Sequence, residues 1–303
     1  MLYIMLWISL SLAGAGLQAF GSAVSKKVLE IRDAKFLAGF VSYTLAGGIF
    51  LAAQYASAGS IWRGGLSVKF WWAIFLLGFV NFFGALFLYK ALEYAELNYV
   101  MPFMTLTSLS LIIPPIFLLG EIPSPGSVFG MALIVLGALL INHSKRELTE
   151  DEEELRARNQ KGLKYFFVTA VCFTVLPTFG KIAIQESSVL FASMLSHFMV
   201  GFCFLIVLVR TKEWGLLRNI SSIQKRAFFA GVIVMGLIHF SENGSINLAM
   251  SQAPVAQVFA IKRLMPFFAF LIGFLYFKER DNLPKKIAAT ALMVAGAIAT
   301  ILL

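Results

Sequence analysis

The chain alternates between long apolar stretches and short polar ones. Ten apolar runs stand out, at 2–24, 36–57, 70–90, 97–119, 125–142, 163–184, 188–210, 227–250, 254–277 and 284–303. A helix that crosses a ~30 Å hydrocarbon layer needs about 20 such residues, with about 17 as the lower limit. The pattern therefore predicts an all-α integral membrane protein of ten transmembrane helices, the fifth near that limit. Short connections predict antiparallel neighbours. One long hydrophilic stretch interrupts the series at 142–164, with the acidic run Glu150–Glu154 among Lys145, Arg146, Arg156 and Arg158. It reads as a solvated linker or short surface helix joining two halves of five runs. The first run has no basic leader and no small-residue cleavage site, so it is read as a retained helix rather than a signal peptide.

The halves resemble each other. Placing Ala91–Ala95 over Ala249–Ala253 puts Val100 over Val258 and Glu121 over Glu279 without a gap, and Phe20-Gly21 matches Phe179-Gly180 at an offset one residue longer. An odd number of helices per repeat inverts the second copy relative to the first, the arrangement of many secondary transporters with a site near the midplane. The division is 1–142 for the first repeat, 143–162 for the linker and 163–303 for the second repeat.

Composition agrees with a membrane chain. Of 303 residues, 59% are hydrophobic and only 14% charged, with a mean hydropathy of +0.82, whereas soluble domains carry about 25% charge. The net charge of +9 does not point to nucleic acid, because the basic residues sit in short loops. Twenty of them, including all six of the linker, fall on one face of the predicted topology, against Arg63, Lys69 and Lys181 on the other. The positive-inside rule puts the rich face, with the linker, in the cytoplasm of a cell (plasma or inner) membrane, and both termini outside. Cys172 and Cys203 lie inside apolar runs and form no disulfide framework or metal spacing. The three histidines make no i, i+4 pair, so neither a metal nor a cofactor is expected.

Charge inside the runs carries the chemistry. The eighth and ninth runs form a hairpin turning near Ser251–Pro254. Its first arm carries His239, Glu242, Asn243 and Asn247 at the spacing of one helical face. Its second carries Lys262 and Arg263. Glu242 lies about ten residues before the turn and Lys262 about nine after it, so both are expected ~14 Å deep, about half of the hydrocarbon core. A charge there costs ~3 kcal/mol even on the mildest scale, so these side chains are expected to face one another, a watery cavity or a charged ligand. Adjacent helical residues point about 100° apart, so Lys262 and Arg263 cannot both meet Glu242 head-on. One base is left for an anion, with Arg offering a fork and Lys a point charge. A Glu242 pair that only locks two helices remains the structural alternative.

Glu242 and His239 are candidates for carrying a proton. The first-half counterparts are softer: Asn81 lies over His239, Gly84 over Glu242, Met104 over Lys262 and Thr105 over Arg263. Asn81 and Thr105 could hydrogen-bond a solute or hold helices together. Gln18, Lys181, Tyr89 and Tyr99 are weaker candidates; Lys181, near a helix end, could snorkel outward. His197 stands alone in its run and reads as structural. Pro102, Pro114, Pro115 and Pro266 are expected to kink the fourth and ninth runs. Ala288, Ala291, Ala295 and Gly296 suit close packing, either internal or in a homodimer.

The residues Ala95–Pro102, Gly120-Glu121, Gly130 and Gly137 in the first half, and Ala253–Val258, Pro266, Lys278-Glu279 and Ala295-Gly296 in the second, resemble the drug/metabolite transporter superfamily, specifically its EamA branch. The acidic residue after the fourth run of each repeat is the most specific element. The resemblance covers nearly the whole chain. It implies a ten-helix bundle with a central cavity lined by the first, third, fourth, sixth, eighth and ninth helices, and proton- or exchange-driven movement of small metabolites. Members usually keep both termini in the cytoplasm, against the charge count. Lys262-Arg263 is similar to the adjacent Lys-Arg of plastid phosphate translocators, where the pair implies a phosphate-bearing substrate; Glu242 is a departure that could neutralise one base.

The expected function is secondary transport of a small organic metabolite with a carboxylate or phosphate. An amino-acid or zwitterion exporter is the alternative, with Glu242 taking the ammonium and Arg263 the carboxylate. A non-transporting structural subunit is a third. An enzyme is disfavoured, since Ser196-His197 has no G-x-S-x-G elbow, and so is a primary pump, since no phosphate-binding glycine loop appears.

Overall fold

The computed structural model describes residues 2–32, 34–95, 107, 109–141, 150–268, 271 and 283–302. Among them all regular structure is helical. The long helices are α1 (Leu2–Ile31), α2 (Lys35–Ala58), α3 (Val68–Tyr94), α6 (Glu150–Glu186), α7 (Val189–Thr211) and α8 (Ser222–Met250). Six helical stretches within them are long and apolar enough to cross a membrane. They correspond to the first, second, third, sixth, seventh and eighth apolar runs. The fifth and tenth runs form the shorter α5 (Pro125–Ile141) and α10 (Leu283–Leu302). The fourth run is described from its last third, as α4 (Ile113–Leu119), and the ninth chiefly as α9 (Val255–Lys262).

Several boundaries differ from the apolar runs because polar residues also make helix. Helix α6 begins at Glu150, inside the hydrophilic stretch, where Glu154 precedes Arg158 by one turn. Helix α8 starts five residues before its apolar run because Ser221 and Gln224 form a reciprocal capping box.

The ninth run is not one continuous helix. Helix α9 ends at Lys262, Arg263 and Leu264 form a turn, and helical backbone resumes at Met265. Pro266 explains the break: it has no N–H for the Lys262 carbonyl four residues back, and its ring crowds that carbonyl. The backbone closes tighter turns instead, with the Leu264 N–H on Ile261 O at 3.0 Å. In the first half a turn at Leu111–Ile112 precedes Pro114 and Pro115, which open α4.

The chain forms two compact units. One comprises Met1–Gly16, Phe83–Thr178 and Ala253–Leu303, the other Leu17–Phe82 and Phe179–Gln252. In the first, α5 and α10 approach so closely that a Cβ on Gly296 would stand 2.6 Å from the Gly130 carbonyl oxygen. Gly296 therefore packs internally, while Ala288, Ala291 and Ala295 are exposed. In the second, α2 crosses α7 with the Phe204 ring against Gly39 and the Phe198 ring against Gly47, the small-residue packing that lets membrane helices touch. The Glu213 carboxylate accepts the Phe36 and Leu37 N–H groups and caps α2. At the start of α3, Trp62, Trp71 and Trp72 are exposed around the Lys69–Glu186 ion pair at 3.6 Å, as for an aromatic belt at the membrane–water boundary.

Candidate functional site

The basic pair belongs to the first unit. Lys262 is 8% exposed and Arg263 3%. Arg263 Nη2 donates to Thr107 Oγ1 at 2.7 Å, which orients the guanidinium without neutralising it. Lys262 Nζ lies 5.2 Å from the centroid of the Phe259 ring, within cation–π range. Both cations stand where α9 stops, so the negative end of a helix dipole partly compensates them. The opposite end of α9 is held by Glu121, whose Oε2 accepts the Val255 N–H at 2.8 Å. Gln257 on α9 reaches Ser127 Oγ at 3.3 Å. The two ends of this eight-residue helix are thus a capped positive end and a basic negative end.

Thr105 lies outside the described residues, as do Tyr99, Pro102 and Glu279. The hydroxyl that meets Arg263 is Thr107's, two positions further along the same polar cluster Thr105–Ser110. Alternating hydroxyl residues in an apolar run were the available signal for it.

The polar face expected on α8 lies in the second unit and is present. His239, Glu242, Asn243 and Asn247 are all half-buried on it, while Ile233, Val234, Leu237 and Leu248 on the same helix are exposed. The structure joins this face to α2 and α7. The Tyr43 ring stacks on His239 with centroids 4.4 Å apart, and lies 5.8 Å from His197. Asn247 Nδ2 donates to Ser193 Oγ at 2.8 Å, and Asn243 Nδ2 to the His239 carbonyl at 2.9 Å. Asn81 is half-buried on α3.

His197, read as structural, is 4% exposed, with its ring near those of Tyr43 and Phe50 and its Nδ1 bonded to the Ser193 carbonyl at 2.7 Å. One reading changes. Lys181 does not snorkel: it is 8% exposed, because it sits inside α6 rather than at its last turn. Among the described residues no three His, Cys, Asp or Glu side chains gather as a metal would require.

Each unit thus buries polar chemistry in helices otherwise made for lipid. A solved structure described only as the crystal structure of a protein is 15% identical to this chain, with a TM-score of 0.70 over 96% of each chain, which shows a shared fold. No curated protein matches. The EamA-like transporter family matches twice, at residues 5–143 and 160–302. Those two matches take in nearly every apolar run, and the chain is a multi-pass membrane protein that belongs to the EamA-like transporter family of the drug/metabolite transporter superfamily, with two EamA repeats.

Proposed function

We propose that this family member is a secondary active carrier of a small organic metabolite whose carboxylate or phosphate is held by Lys262 and Arg263. The observation that carries the reading is the burial of two adjacent cations at the broken end of α9. Ionisable groups inside membrane segments are expensive and mark substrate pathways, and helices broken within the span are a recurrent way to build such sites. Arg263, oriented by Thr107, would offer a planar fork, and Lys262 a point charge.

The reading takes the chain as ten transmembrane helices in two inverted repeats around a midplane site, working by alternating access. The points where the chain passes from one compact unit to the other support it. They fall at 16/17, 82/83, 178/179 and 252/253, and Gly16, Gly84, Pro177 and Pro254 stand within two residues of them. Glycine and proline are where helices bend. Glu242 and His239 would carry the coupling proton. The charge bias of the loops supports a plasma or inner membrane location with the linker in the cytoplasm.

The test is uptake into proteoliposomes holding the purified chain, across a panel of labelled carboxylates, sugar phosphates and amino acids. Saturable uptake of at least one anion-bearing solute is expected. A protein that moves none of them, yet is required for assembly of other membrane components, would be the structural subunit instead.

A further inference from the structure

We infer that the end of α3 and the start of α6 form a basic aromatic surface, with Lys90 and Lys161 on the rings of Phe87, Tyr94 and Tyr165, that takes the phosphates of anionic lipids at the membrane–water boundary. The inference needs only that the chain spans a membrane, and is independent of the solute.

The surface is built rather than scattered. Phe87, Lys90 and Tyr94 recur at three- and four-residue spacing on α3, and Lys161 and Tyr165 on α6, so each set shares a helix face. The two helices meet at Gly162, where a Cβ would stand 2.8 Å from the Ala91 carbonyl oxygen. Ala91, Ala95 and Phe166 are buried together there, with Leu88, Leu163 and Phe173 packed on them. The contact brings the rings into a row. The Tyr165 centroid lies 6.2 Å from that of Phe87 and 5.7 Å from that of Tyr94, with interplanar angles of 29° and 24°. Lys90 Nζ stands 5.5 Å from the Phe87 centroid and 5.8 Å from that of Tyr165. Lys161 Nζ is 4.0 Å from the centroid of Tyr94.

A ring face holds an ammonium in place without cancelling its charge, and the N–H groups turned away from the ring stay available to an anion. Arg158 and Lys164 on α6 are exposed beside Lys161. Among the described residues here the acid on α3 is Glu93, and the exposed Glu153 and Glu154 stand at least about 10 Å further out along α6 than Lys161. The surface is therefore net positive. Its depth follows from α6 itself. Lys161 and Lys164 are exposed, and one turn later Phe167, Val168 and Val171 are exposed instead. That switch marks where the helix enters hydrocarbon, which puts the lysines and Tyr165 at the level of the lipid headgroups. Basic side chains at that level attract anionic lipids.

The experiment is titration of the detergent-purified full chain with dioleoylphosphatidylglycerol, read by native mass spectrometry, with dioleoylphosphatidylcholine as the comparison lacking net charge. The wild type is expected to bind phosphatidylglycerol the more tightly. Lys90→Gln/Lys161→Gln is expected to weaken phosphatidylglycerol about ten- to thirtyfold and to leave phosphatidylcholine unchanged. Lys26→Gln/Lys27→Gln, which removes equal charge from a different loop, is expected to keep the preference. Tyr94→Leu keeps both lysines and is expected to lose part of the preference, with Tyr94→Phe restoring it. Equal binding of the two lipids by the wild type overturns the assignment, as does a preference equally reduced by the two lysine pairs. If Lys90→Gln/Lys161→Gln fails to fold, Lys161→Gln alone decides, since that side chain is exposed: an undiminished preference overturns the assignment. None of these outcomes bears on the solute site at Lys262 and Arg263.

Discussion

At the scale of single residues, Lys262 and Arg263 are buried cations. Their burial was legible in the sequence, because both fall inside an apolar run. Glu121 was legible only as a family mark; its structural use was not, because the N–H it accepts belongs to Val255, 134 positions away. That bond makes a prediction. Glu121→Ala removes a charge-assisted cap from α9 and is expected to cost about 1–2 kcal/mol, read as a lower melting temperature of the purified protein, with Glu121→Gln recovering part of it. The structural reading of His197 agrees with its burial, but its ring partners could not be read for a similar reason: Tyr43 and Phe50 lie some 150 positions before it. Thr105 was read only as the repeat counterpart of Arg263, and lies outside the described residues; that Thr107 meets the guanidinium was not readable, because the two residues are 156 positions apart.

At the scale of elements, hydrophobic periodicity found the long helices and erred at their ends. Runs 36–57 and 188–210 match α2 and α7 within a residue. Where capping or charge chemistry extends a helix, as at Ser221 and Glu150, apolarity alone stops short. Where proline intervenes, as at Pro266, it runs on too far. The close helix contacts were not readable either, because a glycine that admits a neighbour looks like one that admits nothing. Two substitutions separate these cases. Gly296→Ala would set a Cβ 2.6 Å from the Gly130 carbonyl oxygen and is expected to destabilise by about 1–3 kcal/mol. Gly48→Ala meets nothing within 4 Å and is expected to be neutral or to stabilise by about 0.5–1 kcal/mol. Thermal unfolding in detergent compares them directly. The α9 break predicts a different pattern: Pro266→Ala returns an N–H to the Lys262 carbonyl, so melting temperature is expected to hold or rise while transport turnover falls. Turnover equal to wild type would show that the break is incidental to transport.

At the scale of the whole molecule, the sequence repeats and the family matches at 5–143 and 160–302 divide the chain in the middle, while the compact units draw on both sides of the linker. Repeats are a property of order along the chain, and compactness one of contacts in space, so only the first could be read in advance. Orientation can be tested at exposed positions. In a background with Cys172 and Cys203 changed to serine, Arg158→Cys is expected to react with an impermeant maleimide only after the membrane is opened, and Arg63→Cys in intact cells. The reverse pattern would put the linker outside.

The account's central claim is that the buried basic pair binds the transported solute. Its most direct measurement is uptake of a labelled anion-bearing substrate into proteoliposomes carrying wild type, Lys262→Ala or Arg263→Ala, each shown to be folded and inserted. The account predicts saturable uptake by the wild type and a loss of at least about tenfold in kcat/KM for each variant, as removal of a charge-assisted contact entails. Uptake unchanged in both variants would contradict it.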